Sequence, residues 1–333
     1  MRNRNPVLGL LALATLWQGA ACAEGGPVLV KGAWSSSSDS VTPLPEGGEV
    51  VDHIYSNKYF GLSYSPSREW TEGDGGPPPS PSGYYVLAQI EPAASPTRVN
   101  PGHMLIAAQD MFFTLVPANS AFELINFSSK RLDREYKVER PPTEVRIANH
   151  SFVRFDYMSP VAKLHWHVLA TEVRCHTIQF VFTSHDAKLI ENVVKSMNTM
   201  KLPENAGITA GNGGGDIPLC IKDFANTENL ITRVDPILAE PRFNPVPVRI
   251  IVGKDGKVKH IHFLSAFADQ AKSISDALSQ WQFKPYLSEG RPVEVETGIM
   301  FGRMRRTAQS PESGAHLVTT APFAPSSSPP GTR

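Results

Sequence analysis

The tract VPVRIIVGKDGKVKHIHFL, residues 246–264, decides the fold of the C-terminal part of the chain. Apolar residues alternate along its first seven positions, which is the two-residue period of a β-strand with one buried face. The pair Asp255-Gly256 follows, and an Asp-Gly loop favours a tight hairpin because glycine readily adopts positive φ. We therefore expect residues 258–264 to return as an antiparallel strand. A helix should cover one face of this hairpin, and solvent should partly reach the other.

A helix pattern follows the hairpin. Apolar residues recur there at spacings of three, four and three: Ala271, Ile274, Leu278 and Trp281. Asp269 is placed to cap the first turn. Burial of such side chains contributes roughly 1.5 to 3 kcal/mol each, which is enough to hold the helix on the hairpin. A last alternating run at residues 293–301 gives the order strand, strand, helix, strand, with a short additional strand at residues 283–287 as an option.

This tract resembles the C-terminal domain of TonB-type energy transducers, the periplasmic ββαβ module. The resemblance rests on the Lys-Asp-Gly turn at residues 254–256, on Ser265, and on the run SQWQFKPYLSEGRPVEVETGIMF at residues 279–301. It covers about a fifth of the chain. The family usually carries a Tyr-Pro pair before the first strand, where this chain reads RVDPILAEPRFNPVP and has Pro236 without a tyrosine. A contact made by that pair is therefore not carried over.

The composition indicates a globular chain without a charge pattern for nucleic-acid binding. Its 333 residues are 41% hydrophobic and 19% charged, which suits two modest domains with linkers. The formal net charge is zero, so no general attraction to nucleic acid is expected. Arg303, Arg305 and Arg306 are better explained as the solvated end of a strand than as a basic patch.

Residues 1–23 have the pattern of an export signal peptide. Arg2 and Arg4 precede an apolar run, and small residues follow it. Cleavage after Ala23 is the favoured interpretation. The alternatives are lipidation at Cys22 and retention of the run as an N-terminal membrane anchor. In each case the rest of the chain is expected outside the cytoplasm, as a periplasmic or otherwise exported protein.

Two cysteines remain after this signal, Cys175 and Cys220. In an oxidising compartment they could form a disulfide, and closing a loop of about 45 residues is worth on the order of 4 kcal/mol in the chain-entropy model. Two separate thiols, with Cys175 buried in a strand, are the alternative, because a sequence does not supply the geometry.

Residues 50–204 are predicted to form a first α+β domain. The run YFGLSYSPSREW opens it with a strand, three strand patterns lie between residues 144 and 183, and apolar positions from Ile190 to Met197 indicate a closing helix. This order resembles the PsbP-like α/β/α sandwich, which is built on an antiparallel sheet. The resemblance includes no catalytic motif, and a fold alone does not assign a function.

Segments of biased composition separate and flank the two domains. Residues 24–49 are rich in Ser, Gly and Pro and are predicted to be a flexible linker. A Gly-rich linker at residues 205–216 marks the domain boundary. The second domain is expected to span residues 217–306, and residues 307–333 are expected to be disordered.

No motif in the sequence indicates catalysis, a cofactor or a metal. Histidines with ligand-like spacing are His165 and His167, with His176 or His185 as further candidates, and His260 and His262. They lack an acidic or Cys partner at a diagnostic distance, so exposed strand histidines are the better explanation. No serine lies in a Gly-x-Ser-x-Gly elbow, and the Gly cluster lacks the ending of a phosphate loop. We therefore predict that the protein is not an enzyme and has no cofactor or metal site.

The TonB resemblance implies a transport-related, protein-binding module with a free sheet edge. The predicted edge strand consists of Val293, Glu294, Val295, Glu296, Thr297, Ile299 and Phe301. An extended peptide from an outer-membrane or other envelope protein would add to it by β-augmentation, with Glu294 and Glu296 biasing the choice of partner. The chain itself, or a second copy in a homodimer, is the alternative occupant of this edge.

A second hypothesis places the function in the PsbP-like domain. That domain would bind or hydrolyse a ligand, and the TonB-like domain would serve as an adaptor. A pocket with convergent polar groups in the first domain would favour this hypothesis, whereas an apolar core without such a pocket would favour peptide binding.

Overall fold

The computed structural model describes residues 41–66, 70–72, 79–92, 102–203, 217–238 and 245–302. The predicted export signal, the Gly-rich linker and the C-terminal tail from residue 307 lie outside these residues. Within the described ranges, none of the helices is long and apolar enough to cross a membrane.

The first domain is built mainly from antiparallel strands. They are β1 (Glu49–Val51), β2 (Ile54–Asn57), β3 (Leu62–Tyr64), β4 (Trp70–Glu72), β5 (Tyr84–Pro92), β6 (His103–Asp110), β7 (Lys137–Ile147), β8 (His150–Ser159), β9 (Leu164–Val173) and β10 (His176–Ser184). Strands β4 to β10 form one seven-stranded sheet in the order β4-β5-β6-β10-β9-β8-β7. Strands β1, β2 and β3 form a separate small sheet.

Two helices cover opposite faces of the large sheet. They are α1 (Ala121–Lys130) and α2 (Ala187–Ser196), and a short 3₁₀ turn, Met197–Thr199, follows α2. Ser120 caps α1 by accepting a hydrogen bond from the Glu123 N–H, and Asp186 caps α2 through the Lys188 N–H. Along β8, Phe152 joins the core under α2, while Val153 joins the core under α1. The domain is therefore a helix–sheet–helix sandwich, as the sequence predicts.

Strand β7 forms one edge of the large sheet. Its side chains are mostly exposed, and its pairing with β8 shifts register twice. Pro141 and Pro142 lie in the middle of this strand and have no N–H to offer a further strand.

The described residues of the second domain form a four-stranded sheet with one helix on it. Its elements are β11 (Leu219–Cys220), β12 (Leu230–Thr232), β13 (Val246–Val252), β14 (Val258–Phe263), α3 (Ala268–Leu278), β15 (Gln282–Phe283), β16 (Tyr286–Ser288), β17 (Arg291–Val293) and β18 (Val295–Phe301). The sheet has the order β11-β18-β13-β14. Strands β13 and β14 form the predicted hairpin, and the order strand, strand, helix, strand is as predicted. The chain as a whole is α+β.

Helix α3 covers one face of this sheet. Ile274, Leu278 and the following Trp281 pack with the apolar residues of β13 and β14 in a single core. The Trp281 indole N–H donates to the Val234 carbonyl at 2.7 Å, so its polar atom is satisfied inside this core.

The opposite face of the second sheet packs on the first domain. His260 and His262 of β14 are only 4% and 6% exposed. The Tyr85 ring stacks on His262 with ring centroids 6.4 Å apart. A side chain at Gly298 would meet Phe112 at 2.7 Å, so the two domains approach closely there. The expectation that this face is partly solvated is therefore wrong, because the first domain covers it.

Part of the predicted flexible linker also packs in this region. The Pro45 carbonyl accepts a hydrogen bond from Asn57 at 2.8 Å. A carboxylate oxygen of Glu46 lies 2.8 Å from Nε2 of His262. Residues 45 and 46 therefore contact both domains, which differs from the flexible linker predicted for residues 24–49.

Two glycines in turns of the second domain provide a matched test of the hairpin. Gly256 and Gly290 both have positive φ, +79° and +77°. A Cβ at Gly256 would collide with the Phe283 carbonyl, whereas nothing lies within 4 Å of a Cβ at Gly290. We expect Gly290→Ala to cost about 1 to 2 kcal/mol from backbone strain. Gly256→Ala should cost at least ~2 kcal/mol more because of the collision. Urea unfolding measures both, and equal costs would contradict the close contact between this turn and β15.

Candidate functional site

A cluster of buried charged groups joins the two domains. Arg249 lies in β13, and its side chain is 2% exposed. Its guanidinium forms an ion pair with Asp110, at the end of β6, and lies 3.0 Å from a carboxylate oxygen of Glu296 in β18. It also donates to the Tyr59 hydroxyl at 2.9 Å. One arginine of the second domain thus binds two side chains of the first domain and one of its own.

Glu296 receives a second cation from the first domain. Arg174 donates to it at 2.8 Å and lies over the Tyr59 ring, 3.9 Å from its centroid. The Tyr59 hydroxyl donates to Glu296 at 2.7 Å. Burial opposes ionisation of this carboxylate, but Arg249 and Arg174 hold the pKa of Glu296 below its usual range. Glu296 is therefore an anion held between two guanidinium groups.

His176 lies beside this cluster without contributing a charge. Its Nδ1 is 2.7 Å from the Arg174 carbonyl, and because a carbonyl only accepts, Nδ1 carries the proton. Burial, with the charge of Arg249 in addition, lowers the pKa of His176 well below its ordinary value. Its ring packs edge-on against Tyr59, Phe60 and Tyr85. It is therefore a neutral aromatic wall of the cluster.

A disulfide links the domains next to the cluster. Cys175 and Cys220 are joined, with their Cα atoms 6.0 Å apart. Arg174 and Cys175 form the turn between β9 and β10, and both have positive φ, 47° and 56°. The same tight turn therefore supplies the cation that binds Glu296 and the sulfur that binds β11.

The predicted partner-binding strand is divided in the structure. Val293 ends β17, and Glu294 lies between β17 and β18, where it pairs with Lys259 at 3.2 Å. Val295 and Glu296 lie between β13 on one side and the parallel strand β11 on the other. Glu296 is 3% exposed, so the expectation that it biases the choice of partner is wrong: its carboxylate binds the first domain.

The rest of β18, residues 297–301, has no strand paired with its outer side among the described residues. Outer-facing backbone groups belong to the even-numbered residues, because the Glu294 and Glu296 carbonyls accept from β11. Thr297, Ile299 and Phe301 therefore direct their backbone groups toward β13, and Gly298 and Met300 direct theirs outward. The sequence analysis did not include Gly298 and Met300, because an alternating strand pattern does not show toward which neighbouring strand the backbone groups of each residue point.

The histidines named from the sequence are divided between the two domains: His260 and His262 line the interdomain cavity, whereas His165 and His185 bind groups of the first domain. His165 Nδ1 is 2.9 Å from Glu139, and His185 Nδ1 is 3.0 Å from the Lys163 carbonyl. The interpretation as exposed strand histidines is wrong for four of them, which are at most 6% exposed: His167, His176, His260 and His262.

His167, Asp156 and Glu191 bring potential ligand atoms within 4.8 Å of one another. The Arg154 guanidinium already lies among them, 2.9 Å from Asp156, 3.1 Å from His167 Nδ1 and in a short contact with Glu191. A cation is thus already built into this cluster, and its geometry is that of a structural ion-pair network.

Polar groups also surround a small cavity between the domains. Its lining includes Tyr59, Arg249, His260, His262 and Glu296. Its volume is about 10 Å³, which is close to the space of one water molecule and far below the size of an organic ligand site. These groups contact one another across the domain interface. The cavity that they line is too small for an organic substrate.

No family model matches the chain, and no curated protein matches it. The solution structure of cyanobacterial PsbP (CyanoP) from Synechocystis sp. PCC 6803 is 13% identical, covers 46% of this chain and 94% of its own, and has a TM-score of 0.32. A crystal structure from Bacteroides thetaiotaomicron VPI-5482 is also 13% identical, covers 44% and 47%, and has a TM-score of 0.25.

The first of these structures is of the family that the first domain resembles in sequence. TM-scores this low carry no argument about function. The TonB-like resemblance of the second domain stays a prediction.

Removing the central cation should destabilise the protein strongly. Arg249→Met leaves Asp110 and Glu296 buried with fewer partners, and we expect a loss of about 3 to 5 kcal/mol in the free energy of unfolding. Arg233→Met is the control, because Arg233 and its partner Asp235 are 52% and 74% exposed, and its loss should be at most about 1 kcal/mol. Urea unfolding of the oxidised protein compares them. A cost for Arg249→Met no larger than the control would show that the cluster does not hold the domains.

The neutral His176 should make the protein less stable in mild acid. Unfolded His176 binds a proton near pH 6.5, whereas the folded side chain, with its lowered pKa, does not. The unfolded state therefore gains protons as the pH falls below 6.5, and stability decreases by up to about 1.4 kcal/mol per pH unit from this group.

The His176→Gln variant separates this effect from those of other groups. Its stability should fall less steeply between pH 6.5 and 5 than that of the wild type, although its stability at neutral pH is lower. Urea unfolding at a series of pH values gives both slopes. Identical slopes would mean that His176 is not held neutral.

Proposed function

We propose that the chain is an exported envelope protein whose second domain is a non-catalytic, TonB-like protein-binding module. In this proposal an extended peptide from an outer-membrane or other envelope protein adds to the outer side of β18. The observation that carries the proposal is the unpaired outer side of residues 297–301 among the described residues. We call this side, with the backbone groups of Gly298 and Met300, the open rim.

The length of the open rim suits strand addition. It covers five of the seven residues of β18, which is about 17 Å of extended chain and matches a typical strand. A bound strand would donate to and accept from Gly298 and Met300, so the backbone would supply much of the affinity.

The chemistry of the open rim indicates what kind of peptide fits. Its sequence is TGIMF, which contains no charged residue. Gly298, Ile299 and Met300 are partly exposed, and the other two side chains are buried. A partner segment rich in β-branched or aromatic residues and without charge would match this surface. Glu294, paired with Lys259, marks one end of the surface with charge.

The alternative function, a ligand-binding or hydrolytic first domain, has less support. Two groups of convergent polar side chains lie in the described part of the chain. The Arg249 cluster surrounds a cavity of about 10 Å³ between the domains. In the first domain, the Arg154 guanidinium already occupies the group formed by Asp156, His167 and Glu191. We therefore keep peptide binding as the proposed function.

A backbone substitution at Met300 tests the proposal. Met300→Pro removes an outward N–H at the open rim, whereas Met300→Ala removes the same side chain and keeps the N–H. Val295→Pro is unsuitable, since the Val295 N–H faces β13. Linear peptides selected from a random phage-displayed library on the wild-type protein serve as probes. We expect Met300→Pro to weaken their binding about tenfold relative to Met300→Ala, which corresponds to one backbone hydrogen bond.

Several results would overturn this proposal. One is that the library yields no binding peptide, and another is that selected peptides bind both variants equally. A further contrary result is a wild-type dimer that Met300→Pro converts to a monomer in sedimentation, because a second copy would then occupy the open rim. A synthetic peptide of residues 307–333 that binds in the same Pro-sensitive way would make the chain itself the occupant.

A further inference from the structure

Strand β11 occupies the part of β18 that adjoins the open rim. Leu219 donates to the Glu294 carbonyl at 2.7 Å, and Ile221 donates to the Glu296 carbonyl at 3.0 Å. These are the contacts that an added peptide would make if it continued along the same side of β18. Strand β11 thus has the position of a short internal competitor for a partner strand.

The strand itself holds this position weakly. It consists of two residues paired in parallel, and Leu219, Cys220 and Ile221 are all partly exposed. Two backbone hydrogen bonds contribute only about 1 kcal/mol each, and isolated short strands are not stable by themselves. Farther along, Phe224 is 3% exposed and stacks on Phe283, so the chain is anchored again there.

The Cys175–Cys220 disulfide supplies a strong attachment at this point. Cys175 is 4% exposed and lies in the turn between β9 and β10. Its carbonyl accepts from the Met111 N–H at 2.8 Å, which fixes the turn to the residue that follows β6. The bond therefore ties β11 to a rigid part of the first domain.

The two domains have other contacts besides this bond. Arg249 pairs with Asp110, Arg174 pairs with Glu296, and Phe112 packs against Gly298. Breaking the disulfide is therefore expected to free β11 while the domains remain together.

We propose that β11 and its disulfide form a redox-controlled cover for one end of the peptide-binding side of β18. This inference rests on the proposed function and adds its regulation. In the oxidised protein a partner reaches the five residues of the open rim. In the reduced protein β11 leaves, and the side of β18 from Glu294 onward becomes available. The reductant is a dithiol: one thiolate attacks the sulfur of Cys220, the more exposed of the two residues, and expels the Cys175 thiolate, which takes up a proton. The second thiol of the reductant then releases Cys220 as a thiol and closes the reductant's own disulfide.

Amide hydrogen exchange on the full chain tests the release of β11. The wild-type protein is compared with and without dithiothreitol, and the double variant C175S/C220S is measured without reductant. We expect the Leu219 and Ile221 amides to exchange at least about tenfold faster in the reduced protein and in the double variant. The amides of β13 should keep their protection. Unchanged exchange at Leu219 and Ile221 would overturn the proposal, and so would a general loss of protection in β13, since the bond would then hold the whole interface.

Peptide binding tests the consequence of release. Peptides selected on the C175S/C220S variant should bind it, and the reduced wild type, at least about tenfold more tightly than the oxidised wild type, as two recovered hydrogen bonds allow. Equal affinities would overturn the control by the disulfide while leaving peptide binding intact. Absence of binding in every form would overturn the proposed function, and the exchange measurement would still decide whether the disulfide holds β11.

Discussion

The ion pairs of Arg249 are the interaction on which the arrangement of the two domains depends. A guanidinium that is almost completely buried must be matched by anions and acceptors, because an unpaired buried charge costs several kcal/mol. The partners come from β6, from the chain between β2 and β3, and from β18. The ion pairs and hydrogen bonds of Arg249 therefore fix the orientation of the second sheet on the first domain.

This constraint shapes the candidate binding side of β18. The Glu296 side chain points into the Arg249 cluster, while its backbone carbonyl accepts a hydrogen bond from Ile221, which follows β11. The Glu296 side chain is thus buried in the domain interface and cannot contact a bound peptide. For peptide binding, β18 offers only backbone groups and uncharged side chains. Among the described residues, Glu296 is the boundary between the part of β18 that pairs with β11 and the part that has no strand on its outer side.

The sequence predicted the local elements well because each has a short-range cause. The Asp-Gly turn, the helical spacing that ends at Trp281 and the alternation in β18 depend on neighbouring residues, and they place the hairpin, α3 and the last strand correctly. The ion pair between Arg249 and Asp110 could not be predicted from neighbouring residues, because the two residues are 139 positions apart. A signal was present, since an arginine within an otherwise apolar strand and Glu296 in a facing strand suggested a shared buried face. The two-residue period places Arg249 and Glu296 on one face of the second sheet. It does not show that the first domain covers this face.

The long edge of the first sheet has a consequence for the behaviour of the protein in concentrated solution. Pro141 and Pro142 interrupt β7 and deprive it of donors at its centre. An exposed strand of this length could otherwise pair with the same strand of another molecule, and repeated pairing of this kind leads to fibrils. Strand β7 is therefore a poor template for a further strand. The outer side of β18, which has no paired strand among the described residues, is then not accompanied by a second site for intermolecular strand pairing at β7.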